Sequence, residues 1–470
     1  MSHPPDALNV EANSIKDDQI MEEGPASAHT IGTEIFNIES GSSNHDQTLK
    51  NVPASAHAIG NDSWVQVSLL LVTSFNCGWI LSFSNLMMVP MSWAWGISSL
   101  IFVGFFSFYS SWLLGDFHFI QGQRFIRYRD LMNFVFGKKM YYVTMIFQFL
   151  TFILVNMGFI LLGGKALKEI NLLFSDTAMR LQYYIIITGA AYFVFSIVVP
   201  NMSAMRMWIG LSTFLTFGYI GVVLVTTIND GKSNKSKDYA IKGSTEDKVF
   251  NALGALSAMM VSNNSGMIPE IQSTLRKPVV KNLRRALCAQ YTFGLMVYYG
   301  VSITGYWAYG SEVPDYLPKA ISGPKWARVL INSAVFLQNI ISQHMFLQPV
   351  HEALDSKFLK VEEGTYSREN LKRRFLLRAI LFTGNTLVTA AIPFMGDFMN
   401  FLGSFTLVTL TFIFPSVIFI KVKGKTAKIG QKTWHWTIVL VFSLLAVATT
   451  ISAVRLIIKD ISTYRLFANQ

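Results

Sequence analysis

Two short strings with one pattern, S-x-N-small-G-x-I, hold the residue types best suited to bind a small polar molecule. They read Ser74-Phe75-Asn76-Cys77-Gly78-Trp79-Ile80 and Ser262-Asn263-Asn264-Ser265-Gly266-Met267-Ile268. Serine hydroxyls and asparagine amides donate and accept hydrogen bonds, and glycine allows close approach to the backbone. We therefore expect a binding site built from Ser74, Phe75, Asn76, Cys77, Gly78, Ser262, Asn263, Asn264, Ser265 and Gly266.

Both strings lie inside long apolar stretches, where a membrane span would have leucine or valine. Hydrocarbon holds no water for free backbone groups, so irregular backbone persists there only where it lines a cavity inside the protein. Two matching interruptions, one in each half of a chain, are typical of transporters built from inverted repeats around a midplane site. The alternative interpretation is that both strings are small-residue contacts between packed helices.

Interrupted helices would present helix ends in the middle of the membrane. The N-terminal end of a half-helix carries partial positive charge and free N–H groups, which suit a carboxylate. The C-terminal end offers carbonyl oxygens, which suit an ammonium group. Because a zwitterionic amino acid carries both charges, the pattern favours an amino acid as the bound molecule.

Two titratable residues in or beside the apolar runs could couple binding to protons. Glu270 follows Pro269 near the end of the run that holds the second string. A carboxylate there is a functional candidate, as a proton carrier or as a gate partner of a cytosolic arginine. The alternative is a hydrated glutamate at the membrane interface. His344 lies within another apolar run, where it could relay protons or form a simple interhelical hydrogen bond.

The 470-residue chain has the composition of a membrane protein. Hydrophobic residues make up 51% and charged residues only 14%, against about 25% charged residues in soluble domains. The net charge of +11 would indicate nucleic acid for a soluble protein. Here it favours cytosolic loops that face anionic lipid, with no nucleic-acid partner.

The sequence predicts neither enzyme chemistry nor a cofactor. It contains no nucleophile elbow, no Walker loop and no HExxH motif. The two cysteines support neither a disulfide framework nor a metal site. We therefore predict that the protein is not an enzyme and that it holds no metal and no cofactor.

The apolar runs predict an all-α polytopic membrane protein with eleven transmembrane helices. Each run has roughly the 20 residues that a bilayer requires. The runs lie near 65–90, 95–115, 140–162, 183–199, 206–228, 249–268, 286–307, 326–348, 375–395, 398–420 and 435–457. The two strings fall in the first and sixth runs, 188 residues apart.

This spacing indicates two repeat halves, about 65–228 and 249–420, followed by an extra helix at 435–457. The whole transporter domain would then cover 64–457. Residues 1–63 have the composition of a disordered cytosolic tail. Residues 458–470 would form a short C-terminal tail.

Lysine and arginine residues indicate which loops face the cytosol. With the N-terminus inside, most of them fall on the cytosolic side. The loop 229–248 holds five basic residues and argues mildly the other way, but it is long and also acidic. It contains Asn234-Lys235-Ser236, a glycosylation acceptor if the loop faces outward. An odd number of spans then places the C-terminus outside the cell.

Longer strings resemble plant proline transporters of the amino acid/auxin permease family. The resemblance covers roughly residues 62–467 in the family's order. Its motifs are Asp62-Ser63-Trp64-Val65-Gln66-Val67, Arg127-Tyr128-Arg129-Asp130-Leu131, Gly266-Met267-Ile268-Pro269-Glu270-Ile271-Gln272, Lys277-Pro278-Val279-Val280-Lys281-Asn282, Gly305-Tyr306-Trp307-Ala308-Tyr309-Gly310, Pro393-Phe394-Met395-Gly396-Asp397-Phe398-Met399 and Trp434-His435-Trp436.

The resemblance implies a leucine-transporter-like core, a 5+5 inverted repeat plus one extra helix. It also implies proton-driven uptake of proline, glycine betaine and γ-aminobutyrate across the plasma membrane. This chain departs from the family pattern at Ser74-Phe75-Asn76-Cys77-Gly78, where the family resembles Gly-Ile-Asn-Ser-Ala, and at Asn263, where it tends to have Phe. A carrier of another small neutral amino acid or amine, or an amino acid sensor that does not transport, therefore stays open as an alternative.

Overall fold

The computed structural model describes residues 60–75, 78–199, 205–263, 265–360, 367–392, 400–401 and 403–463. Within these ranges the chain is almost entirely helical. A helix bonds its backbone groups within its own segment, which an apolar solvent requires of a chain that crosses it. A small antiparallel hairpin, β1 (Phe119–Ile120) and β2 (Gln123–Arg124), is the only sheet in the described part of the chain.

The first apolar run folds as two short helices. α1 covers Trp64–Phe75, and α2 covers Ile80–Phe83 and continues as a π-helical turn over Ser84–Met88. Ser63 and Gln66 form a reciprocal capping box at the start of α1. The Ser63 N–H donates to Gln66 Oε1 at 2.8 Å, and the Gln66 N–H donates to Ser63 Oγ at 3.3 Å. This pair satisfies donors that a first helical turn leaves free.

Five helices follow before the second broken run. They are α3 (Ser92–Asp116), α4 (Tyr128–Phe136), α5 (Lys138–Leu172), α6 (Leu181–Val198) and α7 (Arg206–Ser233). The β1–β2 hairpin connects α3 to the short amphipathic helix α4. Gly137, with φ of 87°, then turns the chain into α5, because glycine adopts that conformation without strain.

The sixth apolar run is divided in the same way as the first. α8 covers Thr245–Ser262 and α9 covers Ile268–Gln272. Ser244 caps α8 by accepting a hydrogen bond from the Asp247 N–H at 3.2 Å. Pro269 lies in the first turn of α9, where its missing N–H breaks no helical bond.

The remaining helices complete the bundle. They are α10 (Val279–Ala289), α11 (Leu295–Tyr309), α12 (Lys325–Phe358), α13 (Arg368–Ala391), α14 (Phe414–Lys423) and α15 (Ile429–Thr463). A π-helical turn at Gln290–Gly294 joins α10 to α11, and two more, Gly403–Leu407 and Thr409–Ile413, lead into α14.

Seven helical segments within the described residues are long and apolar enough to cross a membrane. They are Ser92–Asp116, Lys138–Leu172, Leu181–Val198, Met207–Ser233, Val279–Glu312, Gly403–Lys423 and Ile429–Lys459. Helices α1, α2 and α9 are too short to qualify, and α8 carries Glu246, Asp247 and Lys248 in its first turn. Helices α12 and α13 carry many polar side chains. The count of eleven spans stays a prediction.

Helix α12 extends beyond its apolar run. The sequence places Pro349 at the end of a run that stops near 348, but Pro349 lies inside a helix that reaches Phe358. A proline removes one helical hydrogen bond, and this loss is tolerated where neighbouring helices enclose the segment. The extension brings Asp355 within 3.3 Å of Arg374 Nε and 3.5 Å of Arg378 Nη2.

The two longest inner helices, α5 and α12, pack against each other and hold the site in place. α12 also packs against α7, and α5 packs against α6. Buried apolar residues such as Phe159 and Val335 fill the interior. Both helices therefore provide rigid walls beside the broken runs.

Candidate functional site

The two interruptions are held by different long helices. The first interruption, between α1 and α2, is bonded to α12; the second, between α8 and α9, is bonded to α3 and α5. Among the predicted site residues, Asn76, Cys77 and Asn264 lie outside the described residues. Ser74 and Phe75 are the last two residues of α1.

Gly78 lies in the first interruption, pressed against α12. A Cβ atom on it would lie 2.8 Å from Val335 Cγ1 and 2.9 Å from Asn339 Oδ1, so a larger residue would require these side chains of α12 to move. The Gly78 N–H donates to Gln338 Oε1 at 3.2 Å. Gln338 Nε2 in turn donates to the Thr73 carbonyl at 2.8 Å. One side chain of α12 therefore satisfies backbone groups on both sides of the break.

The second interruption begins with Ser262 and Asn263. The Ser262 hydroxyl donates to the Met259 carbonyl at 2.8 Å, and the Asn263 amide donates to the same carbonyl at 2.9 Å. The Asn263 carbonyl accepts a hydrogen bond from the Ser107 hydroxyl of α3. These bonds satisfy polar groups that the end of α8 would otherwise leave free in an apolar surrounding.

Hydroxyl groups from several elements converge on this interruption. Ser111 Oγ lies 2.6 Å from Ser265 Oγ and 3.1 Å from Tyr291 OH, which is itself 2.6 Å from Ser107 Oγ. The Ser265 N–H donates to Thr411 Oγ1 at 3.1 Å. Because each hydroxyl both donates and accepts, the cluster stabilises the irregular backbone and places oxygen atoms around it.

Tyr298 of α11 connects the two broken runs. Its hydroxyl is hydrogen bonded to the Ser262 hydroxyl at the end of α8 and lies 3.4 Å from Met87 Sδ. Its ring packs edge-to-face on Phe83 of α2, with centroids 4.8 Å apart. The end of α8 and the side of α2 therefore share one side chain, so the two predicted strings belong to one region of the fold.

Glu270 lies in α9 and is tied to the second interruption through Gln148 of α5. Gln148 Nε2 donates to Glu270 Oε1 at 3.0 Å and to the Gly266 carbonyl at 2.9 Å. The Tyr128 N–H also donates to Glu270 Oε1, at 3.3 Å. In the described part of the chain these two groups hold the Glu270 carboxylate, and Arg129 is nearby.

His344 is buried in α12. Its ring contacts aromatic residues that belong to neither interruption. Its centroid lies 5.6 Å from that of Phe195 and 5.7 Å from that of His351. The hydrogen bonds from α12 to the first interruption come from Gln338. The role of His344 as a proton relay stays a prediction.

Sequence patterns did not point to the residues that hold the interruptions. Gln148, Gln338, Tyr291 and Tyr298 lie far from the two strings along the chain, and nothing local marks them. The available signal was polarity: Gln148 and Gln338 are amides inside apolar runs, 190 residues apart, close to the 188-residue spacing of the strings.

The two interrupted helices and the amides and hydroxyls around them define a class of protein, a membrane carrier with a binding site at the interruptions. Backbone ends, hydroxyls and amides can hold a small polar molecule without reacting with it. The chain belongs to the family described as transmembrane amino acid transporter protein, which it matches over residues 60–456.

Relatives in the family are transporters. The chain is 32% identical to "GABA transporter 1" of Arabidopsis thaliana over 81% of this chain and 87% of that protein. It is 27% identical to "Lysine histidine transporter-like 6" of the same plant, over 74% and 80%. The prediction that the protein is not an enzyme is thereby confirmed.

Solved structures confirm the predicted fold class. MHP1, a nucleobase-cation-symport-1 family transporter, matches with a TM-score of 0.57 and 13% identity over 89% of this chain and 98% of that one. MhsT in complex with L-phenylalanine matches with a TM-score of 0.55 and 12% identity over 84% and 100%. The protein therefore has a helical, leucine-transporter-like fold, and at these identities the likeness concerns the fold alone.

Proposed function

We propose that this protein is a proton-coupled secondary transporter that imports proline and related compatible solutes, glycine betaine and γ-aminobutyrate, across the plasma membrane. The observation that carries the proposal is the pair of interrupted helices, whose backbone groups are held by amides and hydroxyls of neighbouring helices. Such breaks are where secondary transporters of this architecture bind substrate. Membership of an amino acid transporter family supports the same class of substrate.

The chemistry near the interruptions favours small neutral zwitterions. The described side chains that form hydrogen bonds with the interruptions carry hydroxyls and amides. The nearby carboxylate of Glu270 already accepts two hydrogen bonds. A substrate with an additional cationic side chain would need another buried partner. The relative named as a GABA transporter is also more similar to this chain than the relative named lysine histidine transporter-like 6.

Glu270 is the residue we propose for proton coupling. It lies four residues beyond Gly266 and shares Gln148 with the Gly266 carbonyl. A change in its charge would therefore be transmitted to the hydrogen bonds of the second interruption. We propose substrate contacts for the residues predicted from the two strings, including Asn76 and Asn264.

An uptake measurement tests the proposal. The protein is expressed in a yeast strain that lacks its own amino acid permeases, and uptake of radiolabelled proline, glycine betaine and γ-aminobutyrate is measured with and without a protonophore. We expect saturable uptake that the protonophore abolishes. Surface-localised protein that binds proline without importing it would favour the sensor alternative, and uptake insensitive to the protonophore would refute proton coupling.

We also propose that the N-terminus is cytosolic and the C-terminus extracellular. The lysine-rich end of α14 and the turn that follows it, with exposed Lys421, Lys423 and Lys425, support a cytosolic position for that end of the bundle. Epitope tags at the two termini test this orientation. In intact cells only the C-terminal tag should bind antibody, and staining of the N-terminal tag without permeabilisation would contradict the proposal.

A further inference from the structure

Gln338 of α12 spans the break in the first apolar run. The side chain is fully buried. Its Oε1 accepts from the Gly78 N–H at 3.2 Å, and its Nε2 donates to the Thr73 carbonyl at 2.8 Å and to Ser342 Oγ at 2.9 Å. An amide can serve a carbonyl and an N–H at once, so this one group replaces helical bonds on both sides of the break.

Gln148 of α5 binds the backbone of the second break in a similar way. It is also buried. Its Nε2 donates to the Gly266 carbonyl at 2.9 Å and to Glu270 Oε1 at 3.0 Å. Both hydrogens of one amide nitrogen are therefore used, one on the backbone of the interruption and one on the carboxylate.

The two glutamines occupy related places in the repeat. Each lies on the long helix formed by the third apolar run of its half, α5 in the first and α12 in the second, and they are 190 residues apart. Each bonds to the motif glycine of the other half, since Gln148 binds Gly266 and Gln338 binds Gly78. The bonds therefore cross between the halves, which is where relative motion takes place in transporters with inverted repeats.

We propose that Gln148 and Gln338 are a symmetry-related pair of positioning residues, each of which fixes the broken helix of the opposite repeat. The pair is unequal, because only Gln148 also binds a carboxylate. Gln338 sets the shape of the first interruption, and Gln148 connects the second interruption to the protonation of Glu270. The second half of this inference rests on the proposed function of Glu270.

The surroundings of Glu270 explain why Gln148 is its main polar connection to the site. Of the elements packed against α9, helix α4 presents Tyr128 and Arg129, and Tyr128 directs its hydroxyl to the Leu410 carbonyl at 2.7 Å. The other two elements carry Asp116 of α3 and Arg284 of α10, which pair with each other at 2.7 Å. Arg124 of the hairpin donates to the Ser273 carbonyl at 2.9 Å and to His118 Nε2 at 3.0 Å.

Hydrogen–deuterium exchange of the purified protein tests the pairing without relying on any substrate. Gln338→Met and Gln148→Met keep side-chain length and remove the amide. Gln343→Met is the matched control, because Gln343 is equally buried in α12 but, among the described residues, donates only to the Ile340 carbonyl of its own helix. We expect faster amide exchange in peptides covering 73–82 for Gln338→Met, and in peptides covering 262–272 for Gln148→Met. In the control, neither group of peptides should exchange faster.

Uptake measurements then separate the two roles. Gln338→Met should raise KM roughly tenfold, as loss of a buried hydrogen-bond partner would, with an unchanged pH profile. Gln148→Glu would place a second carboxylate beside Glu270, and two adjacent carboxylates retain a proton to higher pH. Its pH optimum should therefore move to more alkaline values. If the methionine variants do not reach the membrane, Gln338→Asn and Gln148→Asn, which keep the amide on a shorter stem, replace them.

The outcomes are distinguishable. If peptides 73–82 and 262–272 exchange at the same rate in all three methionine variants, the positioning role is overturned, whatever the protein transports. If exchange becomes faster only in the expected peptides but Gln148→Glu keeps the pH profile of the unaltered protein, the positioning role stands. In that case only the connection between Gln148 and the protonation of Glu270 is overturned. If the unaltered protein imports none of the tested solutes, the proposed function fails while the exchange result still decides the positioning role.

Discussion

Asp62 is paired through its backbone with Thr274, so the residue before the first broken run is tied to the segment after the second. The Asp62 N–H donates to the Thr274 carbonyl at 2.9 Å, and the Arg276 N–H donates to the Asp62 carbonyl at 3.0 Å. Gly60 lies so close to this segment that a Cβ atom would collide with the Thr274 carbonyl group. The segment before the first broken run is thus joined to the segment after the second by main-chain hydrogen bonds.

This pairing sets a boundary for truncation. A protein that starts at Gly60 keeps the pairing and should reach the membrane and transport, because residues before it have a disordered composition. A protein that starts at Trp64 loses the pairing and the capping box and should lose most uptake per surface molecule. The measurement is uptake normalised to surface labelling. Equal uptake by both truncations would show that the pairing has no role, and loss in both would show that the tail itself is needed.

Gly78 should not tolerate a side chain. The methyl group of Gly78→Ala would lie within 3 Å of Val335 and Asn339, and overpacking of this kind typically costs about 1–3 kcal/mol. We expect a lower thermal midpoint of the purified protein and reduced uptake. Gly218→Ala in α7 is the control, because a Cβ atom there meets nothing within 4 Å. Similar behaviour of the two variants would contradict the close approach of Gly78 to α12.

Asn76 and Asn264 are expected to contact substrate, since they hold the same place in the two strings. Replacing either by alanine removes a hydrogen-bond partner at a cost of about 1–3 kcal/mol. Asn76→Ala and Asn264→Ala should therefore raise the apparent KM roughly tenfold or more, with surface expression intact. Normal saturation curves in both variants would remove these residues from the site.

Glu270 is expected to carry the coupled proton. Glu270→Gln keeps the shape of the protonated side chain and cannot release a proton. The variant should lose concentrative uptake and its pH dependence, yet still exchange labelled for unlabelled substrate. Glu246→Gln, at an exposed position in the first turn of α8, is the control for removal of a carboxylate.

Two other outcomes for Glu270→Gln have distinct meanings. If net uptake and exchange decline together, and exchanging the charges of Glu270 and a nearby arginine in a double variant restores both, Glu270 is a gate partner. If uptake is that of the unaltered protein at every pH, Glu270 is a hydrated interfacial residue and the coupling proposal fails.

The features that depend on neighbours in the chain could be predicted from the sequence. The capping box of Ser63 and Gln66, the first-turn position of Pro269 and the non-helical residues Gly78 and Gly266 all follow from local chemistry, because hydrogen bonds to residues a few positions away decide them. The apolar runs likewise determined that the chain is a helical membrane protein, since only helices and closed barrels satisfy backbone groups in hydrocarbon.

The partners of the interruptions were decided by tertiary structure alone. Gln338 meets Gly78 across 260 residues, and Gln148 meets Gly266 across 118. Many polar side chains along an apolar run are able to bond a free backbone group, and only the packing of α5 and α12 selects which one is in reach. The same reason explains Pro349, because its place inside α12 depends on the helices that enclose it rather than on its neighbours in the chain.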